Sequence, residues 1–199
     1  HVGVTLVLIR LTVADGLARG GRHTSFQWDG VGGGIANTGT VQAIECAFTG
    51  NMAIGRNGGV PRGDSASPTA GYGGAIFNNS GNLFVTNSTF SGNTASFGGA
   101  IYNNGGSSYL NRSTFTANSA SRGGAIRNYA YALISTSTFS GNTAASFGGA
   151  IAGGSTTYLA NSTVYNNGAV YGGGVYNDSF LGVFNSTLSS NTASSKGGG

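Results

Sequence analysis

The chain has 199 residues, of which 38 are Gly and 2 are Pro, with 7% charged side chains and a formal net charge of +4. So little Pro excludes collagen and so little charge excludes charge-driven disorder. Nine Lys and Arg, spread without a basic run, argue against a nucleic-acid partner, and a lone cysteine, Cys46, excludes a disulfide framework and a thiolate metal site.

The first element in chain order is the apolar run Val4 to Ile9. It is too short to span a bilayer and lacks the basic start and small-residue cleavage site of a signal peptide, so a strand is predicted and no membrane-spanning segment is expected in this piece. An irregular stretch at about 18–31 follows. A Gly-Gly pair then opens a unit at Gly32, and further pairs open units at Gly73, Gly98, Gly123, Gly148, Gly172 and Gly197, with successive spacings of 25, 25, 25, 24 and 25 from Gly73 onward. The first spacing is 41 residues, one unit plus an insertion of 16, which places a second irregular stretch at about 52–72. A fixed period in this range signals a solenoid, and it is too short for a four-stranded propeller blade.

Aligned on the Gly-Gly pairs, the units show three apolar columns. The first is Ile35, Ile76, Ile101, Ile126, Ile151 and Val175. Leu8, Ala43, Val85, Leu110, Ile134, Leu159 and Val183 make the second, and Val13, Phe48, Phe90, Phe115, Phe139, Val164 and Leu188 the third. Each apolar position lies in a short β-forming stretch bounded by Gly or Asn, whereas apolar spacing of three and four, the mark of a helix, is absent. The predicted fold is all-β: a right-handed parallel β-helix of about six coils of 24–25 residues, with three short strands per coil, in one domain over residues 1–199. Coils about 4.8 Å apart would make a rod on the order of 30 Å long.

Two columns of Asn accompany the apolar ones. Asn51, Asn93, Asn118, Asn142, Asn167 and Asn191 form one, and Asn37, Asn78, Asn103, Asn128 and Asn177 the other. Asn stacked on Asn can hydrogen-bond from coil to coil and tolerate left-handed turn geometry, so both columns are expected to be corner ladders. The Gly-Gly pairs mark corners that need positive φ or close backbone approach. Ahead of these pairs stand Tyr72, Phe97, Arg122, Phe147, Tyr171 and Lys196, a row with cations placed to stack between rings. Cys46 shares a column with Ser88, Ser113, Ser137, Ser162 and Ser186 and reads as a small packing residue.

The Gly-Gly-Ala-Ile tetrapeptides at 73–76, 98–101, 123–126 and 148–151, with Phe-x-x-Asn at Phe48, Phe90, Phe115 and Phe139, resemble the repeats of chlamydial polymorphic outer-membrane proteins. They are also similar to pectin-lyase-like β-helix repeats of large exported bacterial proteins. The resemblance covers residues 32–199, and 4–18 loosely. It implies an exported autotransporter passenger contributing to adhesion, hence a secreted protein or one on a bacterial outer surface. Departures are the lack of a membrane barrel here and the replacement of Phe by Val164 and Leu188.

Three functions follow. The first is a non-catalytic surface scaffold for adhesion or assembly, with no catalytic residue, metal or cofactor. Its partners would be a host or neighbouring-cell surface, a glycan, or another subunit stacked on an open end. That last partner follows from Ser194, Ser195 and Lys196 running into Gly197 without a polar cap over the strand edges, so a longer array or a second chain is expected to cover them. Polysaccharide lyase or hydrolase chemistry is the alternative, but it needs clustered carboxylates, and Asp15, Asp29, Glu45, Asp64 and Asp178 share neither a strand nor a column. The third is ice binding through an outward Thr column, Thr89, Thr114, Thr138, Thr163 and Thr187, beside Ser91, Thr116, Ser140, Tyr165 and Ser189. The binding residues expected for the scaffold lie in the two insertions, at one corner of successive coils: Arg22, His23, Trp28, Asp29, Arg56, Arg62 and Asp64, with Arg19 beside them.

Overall fold

The computed structural model describes residues 3–20, 30–55 and 70–198. Its strands pair in parallel and stack in three main sheets. Sheet I has six strands, from Ile35–Asn37 to Val175–Asn177; sheet II has seven, from Thr5–Ile9 to Leu181–Phe184; sheet III has seven, from Thr12–Ala14 to Thr187–Ser189. Each coil visits the sheets in that order, and each strand pairs with its counterparts one coil before and after, so the chain is a right-handed parallel β-helix. Residues 5–19, which match the repeat loosely, supply a further turn at one end.

A fourth, less regular sheet joins sheet III back to sheet I. Four strands compose it, Ser119–Arg122, Thr143–Phe147, Gly168–Tyr171 and Thr192–Lys196, and its register shifts. Its polar outward residues, such as Ser119, Ser121 and Thr143, carry no apolar column, which is why the sequence does not announce it.

The three apolar columns point inward and stay in register. Ile76 pairs with Ile101, Val85 with Leu110 and Phe90 with Phe115, all at 1% exposure or less. Phe48, Phe90, Phe115 and Phe139 stack face to face, with centroids 4.6, 4.8 and 4.7 Å apart, so each ring fills the space above the last. Burial of this kind, repeated at each coil, is the main stabilising term of the rod.

At the corner between sheets III and IV the first Asn column is an unbroken ladder. Amides of Asn51, Asn93, Asn118, Asn142 and Asn167 each donate to the next Asn Oδ1 at 2.9–3.0 Å, and Asn93 to Asn191 also donate to carbonyls of the Phe column or its Val164 equivalent. Left-handed geometry does not fall on these asparagines. It falls one residue earlier, on Gly92, Ala117, Gly141, Asn166 and Ser190, with φ between 52 and 63°. The ladder Asn must aim its amide along the rod, and the preceding residue makes the turn.

The second column departs from expectation. Asn37, Asn78, Asn103 and Asn128 form a ladder with bonds of 2.6–2.8 Å, but Gly153 follows in register, and Asn128 turns instead to Thr157 Oγ1 at 3.0 Å. Asn177, on the far side of Gly153, is therefore not a rung, and its Oδ1 and Nδ2 are buried without a hydrogen-bond partner. Its amide fills the space that a Cβ on Gly153 would need.

The Ser column is a third ladder. Backbone amides of Cys46, Ser88, Ser113, Ser137 and Ser162 each donate to the next Ser Oγ at 3.0–3.2 Å. Cys46 is buried at its end, with Sγ 3.3 Å from the Ile44 carbonyl. At the Gly-Gly corner, Gly73 holds φ at 64°, and a Cβ on Gly74 would strike the carbonyl of Gly99 one coil on, so both glycines of the pair are required for different reasons.

Candidate functional site

Inward burial fixes which residues the rod displays, because side chains alternate along each strand. On sheet II the outward positions carry an aromatic ridge. Phe84 and Tyr109 stack in register at 5.1 Å, and the ridge continues through Tyr131 at 5.9 Å and Tyr158 at 6.0 Å to Phe180 and Phe184, 5.4 and 6.3 Å from Tyr158. Phe84, Tyr109, Phe180 and Phe184 are between 37 and 53% exposed. None of the seven strands of sheet II contains a charged residue. The ridge escapes a sequence reading because Tyr131 and Phe180 stand off the column of Phe84, Tyr109 and Tyr158. The signal that could find it is the aromatic just ahead of the second apolar column.

On sheet III the Thr column lies outward as alternation requires. Thr89, Thr114, Thr138, Thr163 and Thr187 are in register, half-buried or exposed. Beside it, Thr49 is 3.2 Å from Ser91 and Ser140 is 3.3 Å from Thr116, oxygen to oxygen, while Tyr165 interrupts the second row.

The expected insertion residues Arg22, His23, Trp28, Asp29, Arg56, Arg62 and Asp64 lie outside the described residues. Of the stems, Leu17–Arg19 pairs with Met52–Ile54, Gly20 N donates to Ile54 O, and Tyr72 N donates to Gly30 O. Residues 18–19 and 52–54 are therefore strand rather than loop, and Arg19 sits in register with Ile54.

Along the corner of sheets IV and I, Tyr72, Phe97, Arg122, Phe147, Tyr171 and Lys196 follow one another in register. The Arg122 guanidinium lies 6.0 Å from the Phe97 ring and 4.8 Å from Phe147, the expected stack of cation between rings. A second row on sheet I, Phe77, Tyr102, Arg127, Ala152 and Tyr176, packs against the first, and Tyr72 meets Tyr102 edge-on at 5.0 Å. Burial, with the neighbouring Tyr129 as a smaller cause, pushes Tyr72 up to about 12. Tyr102 is raised as well, chiefly by burial and then by Tyr129 and Tyr72, against a lowering by Arg127.

Of the acids, Glu45 Oε2 accepts from Arg10 Nε at 2.7 Å, a pair so exposed that it contributes little. Its hydrogen bond raises the Arg10 pKa. Among the described residues no three His, Cys, Asp or Glu side chains converge as metal ligands would, and no helix is long and apolar enough to cross a membrane.

Residues 87–104 and 136–154 match the model of the Chlamydia polymorphic membrane protein repeat. Both segments run from sheet III through the corner asparagine and the Gly-Gly pair into sheet I, so the matched residues are those the coil needs for core and corners. The chain resembles these repeats, and the resemblance suggests a surface or outer-membrane protein. Searches of curated proteins and of solved structures gave no match.

Proposed function

We propose that the chain is a non-catalytic surface scaffold that works by adhesion, with the outer face of sheet II as its contact surface. The observation that carries this reading is the aromatic ridge from Phe84 to Phe184, exposed at Phe84, Tyr109, Phe180 and Phe184 and half-buried at Tyr131 and Tyr158, on a sheet whose strands hold no charged residue. Aromatic side chains supply much contact area for little ordering entropy and dominate interface energetics. A contiguous exposed apolar patch on a soluble face is itself a mark of an interaction site. The ridge stands on strands held in register by the core, so its rings are preorganised.

The test is attachment of the labelled protein to intact cell surfaces and to immobilised glycans. The double variant Tyr109→Ser, Tyr158→Ser should attach about tenfold more weakly or worse, because two central anchors are lost, while its unfolding midpoint stays within a few degrees. Undiminished attachment would remove the ridge from the interface. Release of products from pectin or alginate would replace the scaffold reading with the lyase one. A second reading, ice binding, has one observation in its favour, the five-Thr column in register on sheet III. Ice shaping by the wild type, lost in Thr138→Val, would establish it.

A further inference from the structure

At one coil the row on sheet I loses its bulk. Phe77, Tyr102 and Arg127 are followed in register by Ala152 and then Tyr176, while Asn128 is followed by Gly153, with Gly154 behind it. Three small residues in succession leave a cavity of about 310 Å³. Its walls are Arg122, Arg127, Tyr129, Phe147, Tyr176 and Asp178, with Gly154 between them. Tyr129 and Asp178 lie on the turns leading into sheet II, so the cavity sits at the corner beside the ridge without being part of it.

Arg127 is the informative wall. It is 3% exposed, and its guanidinium lies 4.1 Å from the centre of the Tyr129 ring. Its Nε is buried without a hydrogen-bond partner, and among the described residues no carboxylate stands within ion-pair distance of it. A guanidinium stays protonated at any ordinary pH, and a buried charge with incomplete partners is costly. Ring stacking offsets only part of that cost. A carboxylate entering the cavity would supply the missing counter-charge in the planar, two-oxygen geometry a guanidinium fits.

The other walls narrow the ligand. Tyr129, Phe147 and Tyr176 give the cavity aromatic walls that suit an apolar body, and the volume suits one small molecule. Arg122 and Asp178 on the same lining offset one another, which leaves the Arg127 charge to be matched by a single negative charge on the ligand. We infer that this cavity is a binding site for a small organic monocarboxylate, with Arg127 holding the carboxylate and the three rings holding the body. The site is independent of the adhesive ridge and stands or falls without it.

Titration calorimetry with benzoate as probe tests the site, with benzamide as its neutral isostere, acetate as the carboxylate without a body, and sulfate as the dianion. Benzoate should bind, and benzamide, acetate and sulfate should each be about tenfold weaker or more, since each lacks one matched feature. Arg127→Met should abolish benzoate binding while leaving the melting temperature unchanged or higher, because it removes a buried charge and keeps the stem. A purely structural arginine would instead lower that temperature. Should Arg127→Met fail to fold, Asp178→Asn decides, since it is exposed and should tighten benzoate about threefold by removing a like charge. Absence of benzoate binding to the wild type, equal binding of benzamide, or unchanged affinity in both variants would overturn the assignment.

Discussion

At the corner between sheets III and IV, asparagines from Asn51 to Asn191 hydrogen-bond in one line, whereas at the corner between sheets I and II the line runs from Asn37 to Asn128 and stops at Gly153. Both corners begin with the same rule, a buried amide satisfied by the identical residue one coil away. In the first, every rung also ties down a carbonyl of the inward column, so the residue cannot change without orphaning several buried groups. In the second, one Gly ends the pattern, the amide of Asn177 is left without partners, and open space appears beside Arg127. Where a repeat is faithful its residues are explained by the coil. Chemistry that the coil does not need is found where the repeat breaks.

The contrast can be broken at its strongest point. Phe115→Ala, in the middle of the ring stack beside the unbroken ladder, should cost about 3 to 5 kcal/mol in chemical denaturation, from lost transfer energy and the cavity left behind. A cost near 1 kcal/mol would mean that the stack relaxes and that this region is no firmer than the other. Asn118→Ala should cost about 2 to 4 kcal/mol, since its amide bonds Phe90 O and Asn142 Oδ1 and receives both nitrogens of Asn93. Asn177→Ala should cost about 1 kcal/mol or less, its buried amide having no partner to lose. Equal costs at the two positions would abolish the distinction between the corners.

Alkaline pH sharpens the comparison, because the ladder asparagines and the Phe stack carry no ionisable side chain, whereas buried Tyr72 and Tyr102 pack together where sheets IV and I meet. Tyr72 keeps its proton in the fold to about 12 and loses it near 10 when unfolded. Over that window the unfolded state releases the proton first, so the contribution of Tyr72 to stability should be constant below pH 10 and fall by on the order of 2 to 3 kcal/mol towards pH 12. Guanidine unfolding across that range should show the decline, and Tyr72→Phe should reduce it. A decline unchanged in Tyr72→Phe would place its origin elsewhere.

Much of the fold was legible because a fixed period turns one sequence into an alignment of itself. Ile76, Val85 and Phe90 recur at each coil, and stacking puts like on like. The left-handed corner residue was not legible, since Gly92, Ala117, Gly141, Asn166 and Ser190 share a backbone angle and no side-chain chemistry. The Ser ladder lay in plain view but reads as packing until backbone amides are seen to point at Ser Oγ. Of the site, the Thr column was legible from alternation, whereas the ridge was hidden by Tyr131 and Phe180 standing off the column. The cavity beside Arg127 had a sequence signal in Ala152-Gly153-Gly154, which stands where the flanking coils carry Arg127-Asn128-Tyr129 and Tyr176-Asn177-Asp178.

The in-register pairing of Phe90 with Phe115 and Phe139, and of Thr89 with Thr114 and Thr138, gives the middle of the rod translational symmetry. A seam between any two such coils is nearly the same seam. Excising one whole unit, such as the 25 residues from Gly98 to Arg122, would bring equivalent edges together again with Phe90 now meeting Phe139, and duplicating it would set Phe115 against its own copy. Removing an odd number of residues within a strand would turn the inward column to solvent. The length of this molecule is thus quantised in coils, and a gene encoding it can grow or shrink by whole repeats without new packing having to be found.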